Sequence, residues 1–322
     1  MTDDTQVIEA PETLAPPRRD RREFFRNFGM AGAVGAGAAL LGQSGIARAQ
    51  AAPTDADVLN FALNLEYLEA QFYAFAVTGS PLAANLQNGT GTQGAATGGR
   101  AVAFKDPVVA ALAREIAVDE IAHVRFLRTQ LGTSAIAQPA LDLSVSPTSA
   151  FSNAARAAGL IGANDSFDPY ASDENFLLAG FLFEAVGVTA YKGASPLLTS
   201  KVFLEAAAGI LAVEAYHAAM LRTSLYTKGI ATPSLGLIEA TESISTARDT
   251  LDGGSDIDQG IRPAGTGADT TSNIVPLDRD GIAFSRSTGQ VLNIAFLSRA
   301  RTDRGGFFPN GVNGTIRESA AN

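Results

Sequence analysis

The sequence predicts an all-α protein: a four-helix bundle with one long B–C crossover and an irregular C-terminal extension. Three observations predict it. Four segments of helical length carry apolar residues at a period near 3.6. The chain's only two histidines each follow a glutamate by three residues, in Glu120-Ile121-Ala122-His123 and Glu214-Ala215-Tyr216-His217, and that offset puts both side chains of a pair on one helix face. Residues 133–171 form a connection much longer than an ordinary turn, as a bundle with a single crossover requires.

The N-terminus reads as an address. Arg21-Arg22-Glu23-Phe24-Phe25-Arg26 precedes an uncharged Gly/Ala-rich stretch from Phe28 to Ile46, followed by Ala47-Arg48-Ala49. This order is that of an export signal, and it resembles the twin-arginine consensus with Asp20 where Ser or Thr is usual. Cleavage after Ala49 and a periplasmic or extracellular mature chain are expected. The apolar stretch is too weakly hydrophobic for a permanent anchor, so no membrane span is expected in the mature chain.

Helix A reads from Asp55 to Thr78 through Val58, Leu59, Ala62, Leu65, Phe72, Phe75 and Ala76. Gly79 to Gly99 is loop chemistry, and without a preceding strand or a Lys-Ser/Thr pair it makes no phosphate cradle. Asp106-Pro107 supplies the cap and first turn of helix B, which runs to Leu131 and stops at Gly132. Within the crossover only Ser149–Leu160 reads as helical. Ser172-Asp173 caps helix C, reaching about Gly193. Ser195-Pro196 is expected to start helix D, ending near Lys228 before Gly229, so that C and D are antiparallel neighbours. A short helix (Leu235–Asp249), a Gly/Asp/Thr-rich stretch and the apolar segment Val291–Leu297 follow. The chain thus divides into a leader (1–49), a bundle (50–230) and an extension (231–322) expected to wrap the bundle, being too sparsely apolar for a second core.

Composition narrows the chemistry. With 322 residues and 46% hydrophobic content the chain can bury a full core. A formal charge of −9 argues against nucleic acid or an anionic membrane surface as partner. There is no cysteine, which excludes disulfides, iron–sulfur clusters and thiol nucleophiles. Any metal must be held by oxygen and nitrogen. Asp252, Asp256 and Asp258 alternate acids in a loop, but lack the glycine and distal glutamate of a calcium loop.

The two Glu-x-x-His pairs are completed by glutamates on the other two helices. Helix A carries Glu66 and, seven residues on, Tyr73; helix C carries Glu184 and, seven residues on, Tyr191. Two turns separate each pair, so glutamate and tyrosine share a face. The chain therefore repeats Glu…Tyr, Glu-x-x-His, the twofold pattern of a two-metal carboxylate site in a bundle. Glu69, one turn beyond Glu66, is its rival; the matched tyrosine offset favours Glu66. Glu184 lies in Phe181-Leu182-Phe183-Glu184-Ala185-Val186, where a charge is costly unless paired or metal-bound. Tyr73 and Tyr191 read either as core tyrosines or as hydrogen-bond partners of the metal ligands. Asp119 and Glu115 are the neighbours available to support a histidine's outer nitrogen.

This order of residues resembles the ferritin, bacterioferritin and rubrerythrin site. The resemblance implies a ferritin-like bundle in which Glu66 and Glu184 are terminal ligands, Glu120 and Glu214 bridge two metals, and His123 and His217 each bind one. Asp119 before Glu120 also resembles the bacterioferritin helix. The leader, the crossover and Gly305-Gly306-Phe307-Phe308-Pro309-Asn310-Gly311 resemble secreted ferritin-like proteins grouped with desiccation-related proteins. The expected cofactors are two Fe or Mn ions, since hard ligands suit both, with O2 or peroxide as reactant and oxidative or desiccation stress as setting. A manganese-catalase-like dismutase and a non-catalytic envelope protein are the alternatives, and an oligomer is compatible with either.

Overall fold

The computed structural model describes residues 52–322; the export signal expected at 1–49 lies outside them. Seven α-helices account for most of the regular structure of that region: α1 (Asp55–Thr78), α2 (Pro107–Leu131), α3 (Ala150–Ala157), α4 (Asp173–Ala194), α5 (Lys201–Ala231), α6 (Leu237–Asp252) and α7 (Thr288–Ala295). Helices α1, α2, α4 and α5 are the expected A to D, and the fold is an all-α bundle.

The caps explain the boundaries. Thr54 and Asp57 close a capping box at the start of α1, and Gly79 ends it in the left-handed region. Asp106 caps α2 through the Val108 N–H with Pro107 in the first turn. Ser172 caps α4. Helix α5 departs from expectation at both ends. Ser195–Leu197 is only a 3₁₀ turn, and Ser200 caps a helix beginning at Lys201. At the far end Gly229 stays helical and packs against Ile238, so the helix reaches Ala231 before Pro233 stops it. Helix α6 likewise runs two residues later at its start and three at its end than the sequence suggests.

Helices α1 and α4 run antiparallel at the centre of the molecule. Tyr73 near the end of α1 lies against Phe176 near the start of α4, and Tyr191 near the end of α4 reaches back to Glu66. Burial separates the helices into two kinds: 18 of 24 residues of α1 and 17 of 22 of α4 are buried, against 9 of 25 in α2 and 9 of 31 in α5. The first two are covered on nearly all sides, and most of their residues are apolar; the other two show an outer face to solvent. Residues 237–322 supply part of the cover, α6 and α7 packing on α4 and α6 also on α5. By length and composition α4 and α5 could each cross a bilayer, yet each carries a buried glutamate at mid-helix, which a lipid-facing helix tolerates poorly.

Two features were not visible in the sequence. Ala96–Thr97 pairs in parallel with Leu141–Asp142, stitching the first loop to the crossover. A buried ionic network ties the extension to the bundle. Arg286 donates to Asp252 at 2.6 Å and to Asp258 at 2.9 Å, and Arg248 donates to Asp258 at 2.6 Å and to the Phe181 carbonyl at 2.8 Å. Asp252 and Asp258, weighed above as calcium-loop acids, are thus engaged by arginines, while Asp256 is exposed.

Candidate metal centre

Each of the four bundle helices delivers its expected side chains to one interior point. Glu66 comes from α1, Glu120 and His123 from α2, Glu184 from α4, and Glu214 and His217 from α5; all six are buried. Donor atoms of Glu66, Glu120, His123 and Glu214 lie within 4.8 Å of one another, and so do those of Glu120, Glu184, Glu214 and His217. Glu120 and Glu214 belong to both groups. That is the arrangement in which two carboxylates can bridge a pair of cations, each cation keeping one further glutamate and one imidazole.

Both imidazoles aim Nδ1 inward. His123 Nδ1 stands 3.2 Å from Glu66 Oε2 and 3.7 Å from both Glu120 Oε1 and Glu214 Oε1. His217 Nδ1 stands 3.0 Å from Glu120 Oε1 and 3.5 Å from Glu184 Oε2. Despite these approaches, nine donor atoms of the six residues have no partner in hydrogen-bond geometry: Glu66 Oε2, both oxygens of Glu120, Glu184 and Glu214, and the two Nδ1 atoms. Buried polar groups are ordinarily satisfied, and leaving one unmade costs about 1–3 kcal/mol, more when charged. Nine orphans turned on one point fit a site whose missing partner is a cation.

The electrostatics agree. Burial drives the Glu120 carboxyl well above the ordinary range, with repulsion from Glu214 next. Burial does the same to Glu214, followed by the charge of Glu69. For Glu66 burial is again the largest influence, but attraction to His123 and its hydrogen bonds outweigh it and the carboxyl falls below its usual value. Burial lowers His217, yet Glu184 and Asp119 together raise it overall. Four carboxylates in one dry pocket repel strongly, and two divalent ions would remove that strain.

Three neighbours face the candidate ligands. Asp119 Oδ2 lies 3.2 Å from His217 Nε2 and so fixes the ring with Nδ1 directed inward. Glu115, the other candidate, is exposed and supports neither histidine, because it sits one turn from Asp119 on the solvent side of α2. The tyrosines serve across the helix pair. Tyr191 of α4 donates a short hydrogen bond to Glu66 of α1, and the Tyr73 hydroxyl of α1 faces Glu184 of α4, whose charge follows burial in raising it. The seven-residue offset placed both rings at the right level, and the antiparallel packing exchanges their glutamates.

Glu69 is buried as well, but lies outside both ligand groups. Burial, then Glu184 and Glu66, raise its carboxyl well above the usual range. Gly187 is required beside it: a Cβ there would stand 2.1 Å from Glu214 Oε2. No glycine signal in the sequence marked this close approach.

Comparison with known proteins follows the same line. A family model described as ferritin-like domain matches residues 54–227. The ferritin-like catalase Nec2 of Nesocodon mauritianus is 31% identical over 271 residues, covering 81% of this chain and 84% of that protein. The desiccation-related protein PCC13-62 of Craterostigma plantagineum is 31% identical over 267 residues, covering 81% and 83%. No solved structure matches significantly.

Proposed function

The chain belongs to the ferritin-like domain family, and on that premise we propose that it is an exported two-metal protein that consumes hydrogen peroxide. The observation that carries the reading is the set of nine unpartnered donor atoms converging from four helices. Glu66, Glu120, His123 and Glu214 would hold one ion of iron or manganese, and Glu120, Glu184, Glu214 and His217 the other. Such a pair supplies reversible two-electron redox chemistry, which hard oxygen ligation permits with O2 or peroxide.

The protein's own part is to hold that chemistry. The six ligands sit in a water-poor core, Asp119 and Tyr191 orient two of them, and Gly187 leaves room for Glu214. The relative named as a ferritin-like catalase favours disproportionation, 2 H2O2 → 2 H2O + O2, over oxidation of iron by O2. The other relative's name and the twin-arginine pattern at Arg21-Arg22 support an exported stress protein.

Metal analysis and oxygen evolution test the proposal together. The untagged mature chain, loaded anaerobically, should bind close to two Mn or Fe per chain and release O2 from peroxide. Less than about half an equivalent of metal, even after loading, rejects the site. Bound metal without oxygen release, but with O2-dependent oxidation of Fe²⁺, points to the oxidase reading. If Glu120→Ala and His217→Ala only lower the melting temperature, the bundle is structural.

A further inference from the structure

A small cavity sits in the seam between α1 and α4, roofed by the C-terminal extension. Its walls are Leu65 and Leu68 of α1 and Leu182, Phe183, Val186 and Gly187 of α4, and its roof is Val291, Ile294 and Ala295 of α7 with Phe307. Its volume is about 30 Å³. All of these residues are buried except Leu65, which is partly exposed. The one ionisable residue in the lining is Glu69.

Glu69 lies at the inner end. The place of a Cβ on Gly187 would be 3.4 Å from Glu69 Oε1 and 2.1 Å from Glu214 Oε2, so the missing side chain keeps open the step from cavity to candidate ligands. Among the described residues, no protein donor hydrogen-bonds the Glu69 carboxyl, although it is 5% exposed. A carboxyl without a protein partner, facing an otherwise apolar chamber, is left to hydrogen-bond a small polar molecule that enters it.

We propose that this chamber admits hydrogen peroxide to the centre, with Glu69 as the positioning residue that accepts a hydrogen bond from it. The inference rests on the peroxide-reactive reading of the site. A water needs about 10–15 Å³ of such volume, so the chamber suits a molecule of two heavy atoms and rejects a bulky alkyl hydroperoxide. Apolar walls exclude ions, whose desolvation is prohibitive, whereas peroxide is neutral. Its O–H groups match an acceptor oxygen; dioxygen has no donor to offer. The extension therefore sets which oxidant arrives.

The test separates the route from the reactivity. Xenon-pressurised crystals of the mature protein should show a peak in the chamber, lost in Ala295→Val. In the metal-loaded protein, Ala295→Val should slow peroxide consumption at least tenfold at unchanged metal content. Val291→Ala, which enlarges the chamber, should raise the rate with tert-butyl hydroperoxide relative to peroxide at least tenfold. Glu69→Leu should raise the peroxide KM about tenfold with kcat within twofold, and Glu69→Gln, which keeps an acceptor oxygen, should restore it. Wild-type reactivity with all four variants unchanged overturns the route and leaves the two-metal reading standing. A chamber without xenon overturns the route even if the centre proves inert to peroxide.

Discussion

At the scale of single residues, the buried Glu/His cluster was legible because a shared helix face constrains spacing. A Glu-x-x-His pair must share a helix face, and a chain with two histidines shows two such pairs without distraction. What spacing could not show was who supports whom. Tyr191 serves Glu66 from another helix, and Asp119 is set beside His217 across 98 residues of chain. Losing such an outer partner typically costs 10–100-fold in metal affinity. Tyr191→Phe and Asp119→Asn should each weaken metal binding by about that factor, read by competition with a chelator, while the folded CD spectrum persists. The carboxyls of Glu120 and Glu214 are held up first by burial and then by like charges, so the metal-free protein retains protons there. Loading at neutral pH should release them; a pH-stat trace without proton release contradicts that protonation state.

Secondary-structure elements were readable wherever local caps set their ends, as for α1 and α2. Helix α5 shows the limit. Ser195-Pro196 has the chemistry of a helix start, but the chain straightens after one turn because the Asp55 carboxylate captures the N–H groups of Thr199 at 2.7 Å and Ser200 at 2.9 Å. That partner is 144 residues away, beyond any local pattern. The ionic network between α6, α4 and the segment after it is similarly non-local. Arg286 is fully buried between Asp252 and Asp258, and removing one partner of a buried pair leaves an uncompensated charge. Arg286→Ala should destabilise by about 3–5 kcal/mol in urea unfolding. Near the network, burial and then the charge of Asp258 push the Asp249 carboxyl up to about 6. An unfolded aspartate titrates near 3.9, so between about pH 4 and 6 the folded chain binds the extra proton and stability falls as pH rises. Asp249→Asn should raise Tm at about pH 7 and leave it unchanged near pH 3, which paired calorimetric scans will check.

For the molecule as a whole, the sequence suggested that residues 231–322 lack a core of their own, and the contacts show what they do instead. Phe307 packs against Phe151 of α3 and Phe183 of α4, ring centroids 5.0 Å away in both cases. Gly306 permits this turn, since a Cβ there would meet the Ala295 carbonyl at 2.6 Å and its φ is +49°. Asn313 then joins three distant segments, exchanging hydrogen bonds with Asn64 of α1 and with Thr92 and donating to the Ala137 carbonyl. The end of the chain is therefore a part of the bundle's core and not an appendage to it. Mature protein should unfold in one cooperative transition, without an earlier step for the extension. Phe307→Ala should cost about 3–5 kcal/mol. Deleting residues 301–322 removes both Phe307 and Asn313 and uncovers the part of α4 around Phe183 on which Phe307 packs. Differential scanning calorimetry of that truncation should show no cooperative endotherm. A truncated chain that kept a sharp transition near that of the full protein would mean that the four long helices stabilise themselves, and that the extension serves only the chamber it roofs.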